Sequence, residues 1–251
     1  MSYNFNVEKV TAELIDWVKN YFAETAAPDT KAVIGISGGK DSSLAAAVCV
    51  KALGRERVFG VLMPKGEQPD IDCSRFLVDT LGIESITVNI GSTYAAFSEE
   101  LQKHIALSQQ AVINTPPRLR MATLYAVAAS VNGRVVNTCN LSEDWVGYST
   151  KFGDSAGDLS PLSSLTVTEI LQIGDYLGLP EQLVHKTPID GLCGKTDEEN
   201  LGFTYAQLDR YIRGITDLSD DPELKEKIDR MHKNNLHKLE LMPQYKYCPE
   251  K

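Results

Sequence analysis

The feature that most restricts the fold of this chain is a short apolar run, residues 32–36, that stops at Ser37-Gly38-Gly39-Lys40-Asp41-Ser42-Ser43. The run is β-branched and bounded by Lys31 and the glycines, so it predicts a buried strand of the parallel type. Two adjacent glycines let the backbone turn tightly and bring its N–H groups close to an anion. The Ala-rich stretch 41–53, with Gly54 just beyond, predicts the helix that follows, and its N-terminal dipole favours the same negative charge. Strand, glycine turn and helix in this order form a phosphate cradle. It is not a Walker A loop, because Ile34 stands where the first glycine belongs and Asp41 follows Lys40 in place of Ser or Thr. Nor does it contain the G-x-G-x-x-G of a dinucleotide fold. The plainer use of the same residues is a tight turn with Ser42 or Asp41 capping the helix.

The rest of the chain continues the alternation. Val7, Val10, Leu14, Trp17, Val18 and Tyr21 recur at helical spacing and predict an amphipathic helix that ends near Ala27-Pro28. After the first strand and helix, the pattern predicts a strand over 58–63, a helix over 70–81 before Gly82, a strand over 86–90 and a helix over 94–110. A helix opened by Pro116-Pro117 and running to 129 follows, then a fourth buried strand over 135–137. Such alternation implies an α/β fold, a doubly wound, Rossmann-like parallel sheet of about five strands with helices on both faces. Ligands in such sheets bind at the carboxyl ends of the strands. Beyond Thr138 the segment becomes polar and glycine-punctuated, and helices over 205–213 and 222–234 make a helical C-terminal extension. The expected organisation is one domain over 1–251, with the core sheet in about 30–140.

Charge and cysteine usage narrow the partners. Asp and Glu number 34 against 25 Lys and Arg, a net charge of −9 that repels phosphate backbones, so nucleic acid is not an expected partner. The five cysteines are scattered without a CxxC pair, which fits neither a disulfide framework nor a zinc site. Cys139 and Cys193 read as inert small side chains. No stretch approaches the roughly 18 apolar residues of a membrane span, and residues 1–10 lack a leader pattern. A soluble cytoplasmic protein is expected.

Read as a whole, Ser37–Ser43 resembles the SGGxDS loop of enzymes that cleave ATP between the α- and β-phosphates. Asp41 beside polyphosphate requires an intervening cation, which makes it a magnesium ligand candidate. The downstream motifs select a branch of that superfamily. Thr138-Cys139-Asn140-Leu141-Ser142-Glu143, Gly147-Tyr148-Ser149-Thr150-Lys151-Phe152-Gly153-Asp154, Gly157-Asp158 and Pro161-Leu162 resemble the GT…E…G…TK(Y/F)GD…D…PL stretch of ammonia-dependent NAD synthetases. Arg118-Leu119-Arg120-Met121 resembles the family's RxRM segment, Thr187–Leu192 and Leu201–Tyr205 its C-terminal stretch, and His237-Lys238 its terminal pair. The resemblance runs from about residue 30 to 240.

It implies a reaction in which the nicotinic carboxylate of deamido-NAD attacks the α-phosphate of ATP and ammonia then displaces AMP to give NAD. By motif position, Gly35, Ile36, Ser37, Gly38, Gly39, Lys40, Asp41 and Ser42 would hold ATP, together with Thr138. Asp41 and Glu143 would hold Mg2+. Arg118, Lys151, Asp158, His237 and Lys238 would bind deamido-NAD, and Asp41 and Lys151 would be the catalytic residues. The resemblance also implies a homodimer. With the whole length assigned to the synthetase, no glutaminase domain is expected, and the nitrogen comes from free ammonia or from ammonia delivered by another protein.

Two positions depart from the family pattern. The Lys of its LTK segment is Val167 here and the Thr of its KxPTADL segment is Ile189, so those two ATP contacts are not carried over; Lys186 or Lys195 are the alternatives. Residues 190–200 are a candidate closing loop. A tRNA-modifying ATP-pyrophosphatase and a non-catalytic nucleotide sensor remain the other readings at this level, the first opposed by the charge and the second motivated by Val167 and Ile189.

Overall fold

The computed structural model describes residues 3–186 and 196–248. Helix α1 (Val7–Thr25) is capped by Asn6, whose side chain accepts from the Lys9 N–H, and leads into strand β1 (Lys31–Gly35). Then come α2 (Lys40–Leu53), a 3-10 turn at Arg55–Arg57, β2 (Val58–Leu62), α3 (Ile71–Leu81) and β3 (Glu84–Thr87). Helices α4 (Gly91–Gln102) and α5 (Gln109–Ser130) precede β4 (Gly133–Val136). The remainder is helical: α6 (Leu141–Val146), α7 (Val167–Tyr176), α8 (Glu181–Val184), α9 (Asp197–Leu201), α10 (Tyr205–Ile212) and α11 (Pro222–Leu239).

The strands form one parallel sheet in the order β3-β2-β1-β4. Strand alternation splits the apolar residues between two cores, as a sheet covered on both faces requires. Ala32, Ile34, Val58, Leu62 and Val136 face α1, α2 and α7, with Val18, Phe22, Leu44 and Ile170. Val33, Phe59, Val61 and Val135 face α5, with Met121, Leu124 and Ala128. A third cluster of Val146, Val167, Phe203, Tyr205, Leu208 and Ile228 builds the C-terminal extension.

The doubly wound sheet matches the expectation, with four strands among the described residues in place of about five. A fifth position survives only as one parallel bridge, Leu159 to Val136. The ladder stops there because the Asp158 side chain takes the Val135 N–H at 2.7 Å, and Pro161 has no N–H to continue it. The third strand lies at 84–87, not 86–90. Its exposed edge carries little of the apolar signal, while Val88 and Ile90 follow it and donate to the carbonyls of Leu62 and Pro64 at 2.8 and 2.9 Å.

The helix expected over 94–110 ends at Gln102, and α5 begins at Gln109, well before the proline pair. Ser108 caps α5 by accepting from the Ala111 N–H, so Pro116 and Pro117 fall inside the helix instead of opening it. Helix α11 runs to Leu239, beyond the expected 234, and carries His237 and Lys238 in its last turn. No helix among the described residues is long and apolar enough to cross a membrane.

Candidate active site

The loop after β1 is built as a cradle. Gly38 sits at φ +75, and a Cβ there would come within 2.6 Å of the Ser74 nitrogen, so the turn is pressed against the start of α3 and only glycine fits it. The α2 cap residue is Gly39, with no side-chain capping bond. Neither Ser42 nor Asp41 caps the helix; Ser42 Oγ instead lies 2.9 Å from Ser37 Oγ and donates to the Gly39 carbonyl at 3.2 Å. The helix N-terminus therefore presents its amides where an anion is favoured.

Asp41 lies in the first turn of α2, and Glu143 in the first turn of α6, 103 residues from Lys40. Lys40 joins them: its ammonium is 2.9 Å from Asp41 Oδ2 and 3.4 Å from Glu143 Oε1. Asn140 completes the junction, since its side chain caps α6 by accepting from the Glu143 N–H and donates to Asp41 Oδ1 at 3.0 Å. Burial works against the charge on Lys40, yet Asp41 and then Glu143 outweigh it and hold the ammonium protonated far above neutral pH. Burial, and next Asp41, push the Glu143 carboxyl up to about 8. Two carboxylates meeting at one cation suit Mg2+, which takes one or two protein carboxylates and keeps its other positions for water and phosphate oxygens. Among the described residues no group of three or more His, Cys, Asp or Glu forms a self-sufficient metal cage.

Thr138 follows β4 by two residues, half-buried, beside the strand that carries the loop. The basic residues gather on the other side. Arg118 Nε donates to the Lys151 carbonyl at 3.3 Å, the Lys151 ammonium donates to the His237 carbonyl, and Lys238 donates to the carbonyls of Gly147 and Ser149 at 2.7 and 3.0 Å. Gly147 allows this approach, because a Cβ there would lie 2.0 Å from Asn235 Cγ on α11. A cleft of about 300 Å³ opens among Tyr125, Lys151, Phe152, Ser155, Lys238 and Met242. Asp158 stands apart from the basic group; its carboxylate holds the Val135 N–H, and its neighbour Gly157 lines the cleft.

Sequence reasoning missed Asn140 as the strut between the carboxylates. It also missed Tyr205, whose ring centroid lies 5.6 Å from the Lys40 ammonium, and Asp209, which accepts from Ser142 and from the Thr168 N–H to fix α6 against α7 and α10. An Asn directly before an apolar helix start signals a cap; nothing local signals the other two. Val167 is buried in the third apolar cluster, and its N–H donates to Ser142 Oγ at 3.0 Å. Lys186 is paired with Asp70, the cap residue of α3. Ile189, Cys193, Lys195 and most of the candidate closing loop lie outside the described residues. Cys139 is buried against the Asp154 carbonyl, and burial raises its thiol well above the ordinary range, in keeping with an inert role.

A family model for NAD synthase matches residues 10–247. The chain is 36% identical over 244 residues to the NH(3)-dependent NAD(+) synthetase of Archaeoglobus fulgidus, covering 95% of this chain and 96% of that one. It superposes on the NMN synthetase of Francisella tularensis with a TM-score of 0.87 at 31% identity, covering 97% of this chain and 100% of that one. For the NH3-dependent NAD synthetase of Campylobacter jejuni the TM-score is 0.80 at 26% identity, covering 96% and 100%. With a family model over most of its length and relatives above 30% identity across nearly the whole chain, the chain belongs to the NAD synthase family.

Proposed function

We propose that this chain catalyses ATP-dependent amidation of deamido-NAD with ammonia to form NAD, releasing AMP and pyrophosphate. The observation that carries the reading is the meeting of Lys40, Asp41 and Glu143 beside the uncapped start of α2. A carboxylate resists attack by ammonia because it is anionic and its oxygen leaves poorly. Adenylation removes both obstacles: the carboxylate oxygen bonds to the α-phosphorus, the bond to the β-phosphate bridge breaks, and pyrophosphate leaves. Ammonia then attacks the acyl carbon, the bond to AMP breaks, and the nitrogen loses a proton.

In this reading Gly35–Ser42 and Thr138 hold ATP, and the amides at Gly38 and Gly39 face its phosphates. Asp41 and Glu143 hold Mg2+, which when bound neutralises charge developing on the leaving pyrophosphate. Arg118, Lys151, His237 and Lys238 receive the anionic groups of deamido-NAD around the cleft, and Asp158 takes a ribose hydroxyl or the pyridinium. Ammonia is the nitrogen donor, the unit works as a single synthetase domain and as a homodimer, and the free thiols of Cys49, Cys73, Cys139 and Cys248 suit the cytoplasm.

The structural likeness to an NMN synthetase, at a higher TM-score than that to the Campylobacter jejuni NAD synthetase, supports a second reading, in which the acid amidated is the mononucleotide. Turnover with ATP, Mg2+ and ammonium, given either acid, separates the two. NAD and AMP from deamido-NAD support the first reading; NMN and AMP from nicotinic acid mononucleotide alone support the second. AMP from neither acid overturns both, and glutamine serving as well as ammonium overturns the nitrogen assignment.

A further inference from the structure

Asp41 and Glu143 share the Lys40 ammonium. That ammonium is enclosed: Lys40 is 7% exposed, with the two carboxylates against it and the Tyr205 ring 5.6 Å away. An ammonium is buried only where partners offset its lost hydration, and an aromatic face adds to the attraction of the carboxylates. The seat is itself rigid. Tyr205 packs in the third apolar cluster, and its N–H donates to Glu198 Oε1 at 2.8 Å. Its buried hydroxyl has no partner among the described residues, so the ring is placed by packing and by the charge it faces.

Lys40 balances the pair before substrate arrives, and positive charge is in excess once a divalent ion joins it. Lys40 is also the first residue of α2, next to the cap residue Gly39. Lysine bears its charge on a flexible four-carbon stem, so rotation about that stem can carry the ammonium from the carboxylates toward an anion at the helix start. We propose that Lys40 is a resident counter-ion that keeps Asp41 and Glu143 together before substrate binds, yields them to the entering divalent cation and then turns to the phosphates that arrive with it. This rests on the metal assignment in the proposed function.

The test measures Mn2+ binding by electron paramagnetic resonance, without nucleotide and with ATP, on the wild type, Lys40→Met and Lys40→Arg, each checked for folding by circular dichroism. Lys40→Met is expected to bind Mn2+ alone about tenfold more tightly, since a competing charge beside the ligands is gone. The same variant is expected to bind Mn2+-ATP more weakly. Lys40→Arg keeps the charge and is expected to restore weak binding of Mn2+ alone. A purely structural lysine would weaken both affinities, and unchanged or weaker binding of Mn2+ alone in Lys40→Met overturns the proposal while leaving the metal pair standing. Failure of all three proteins to take up Mn2+, with or without ATP, overturns the metal pair as well. Should Lys40→Met not fold, Tyr205→Leu removes the seat and is expected to tighten Mn2+ alone by about threefold; no change there overturns the proposal too.

Discussion

On the loop side of the site Lys40 meets Asp41 and Glu143 side chain to side chain, whereas on the α11 side Arg118, Lys151 and Lys238 donate to main-chain carbonyls. The first arrangement pairs opposite charges inside the protein and draws on segments 99 and 103 residues apart. The second orients cations through carbonyl dipoles, with Asp144 and Asp154 acting electrostatically on Lys238 alone of the three. Carbonyl dipoles position a lysine or an arginine, but its net charge stays available to an anion. The loop side is thus balanced before ligand arrives, while Arg118 and Lys151 keep their charge for an anion.

The comparison can be broken most forcefully at Asp41. Asp41→Asn removes one of the two carboxylates proposed to hold Mg2+ and leaves Lys40 to Glu143, and NAD formation is expected to fall by about 100-fold or more with circular dichroism unchanged; a wild-type rate would remove Asp41 from the proposed metal site. Lys151→Met tests the other side. Its KM for the acid substrate is expected to rise about 10- to 100-fold with the KM for ATP held, the loss of one charge-assisted contact, and a rise confined to ATP would contradict the division. Gly38→Ala asks whether the cradle is as tight as its geometry: urea unfolding is expected to show a loss of about 1–3 kcal/mol.

The smallest effect concerns pH. The folded protein keeps the Glu143 proton up to about 8, whereas the unfolded chain sheds it near the ordinary value of 4.5. Glu143 therefore contributes stability that is complete below the lower value and lost as pH rises through the upper one. In metal-free buffer the thermal midpoint of the wild type is expected to fall over that interval relative to Glu143→Gln. Parallel curves would show that Asp41 and burial do not hold that proton.

The part of this design legible in the sequence is the part that is local. Strand β1 and helix α2 fall within one residue of their expected bounds, because a β-branched run, two glycines and an Ala-rich stretch each act over a few residues. Edge strand β3 was displaced because the apolar residues that mimic a strand, Val88 and Ile90, follow it. Ser108 outweighed Pro116 and Pro117 in setting the start of α5, a competition between two local signals of which the proline pair is the louder. The Lys40 seat on Tyr205, the Asn140 strut and the Asp209 anchor were not readable, since each is a contact between segments far apart in the chain that only packing brings together.

Isotope transfer shows whether the two sides act on one substrate through an acyl-adenylate. Deamido-NAD labelled with oxygen-18 in both carboxylate oxygens is turned over with ATP and ammonium, and the products are weighed by mass spectrometry. One label is expected in AMP and one retained in the amide of NAD. AMP free of label, or label in pyrophosphate, would contradict the acyl-adenylate route.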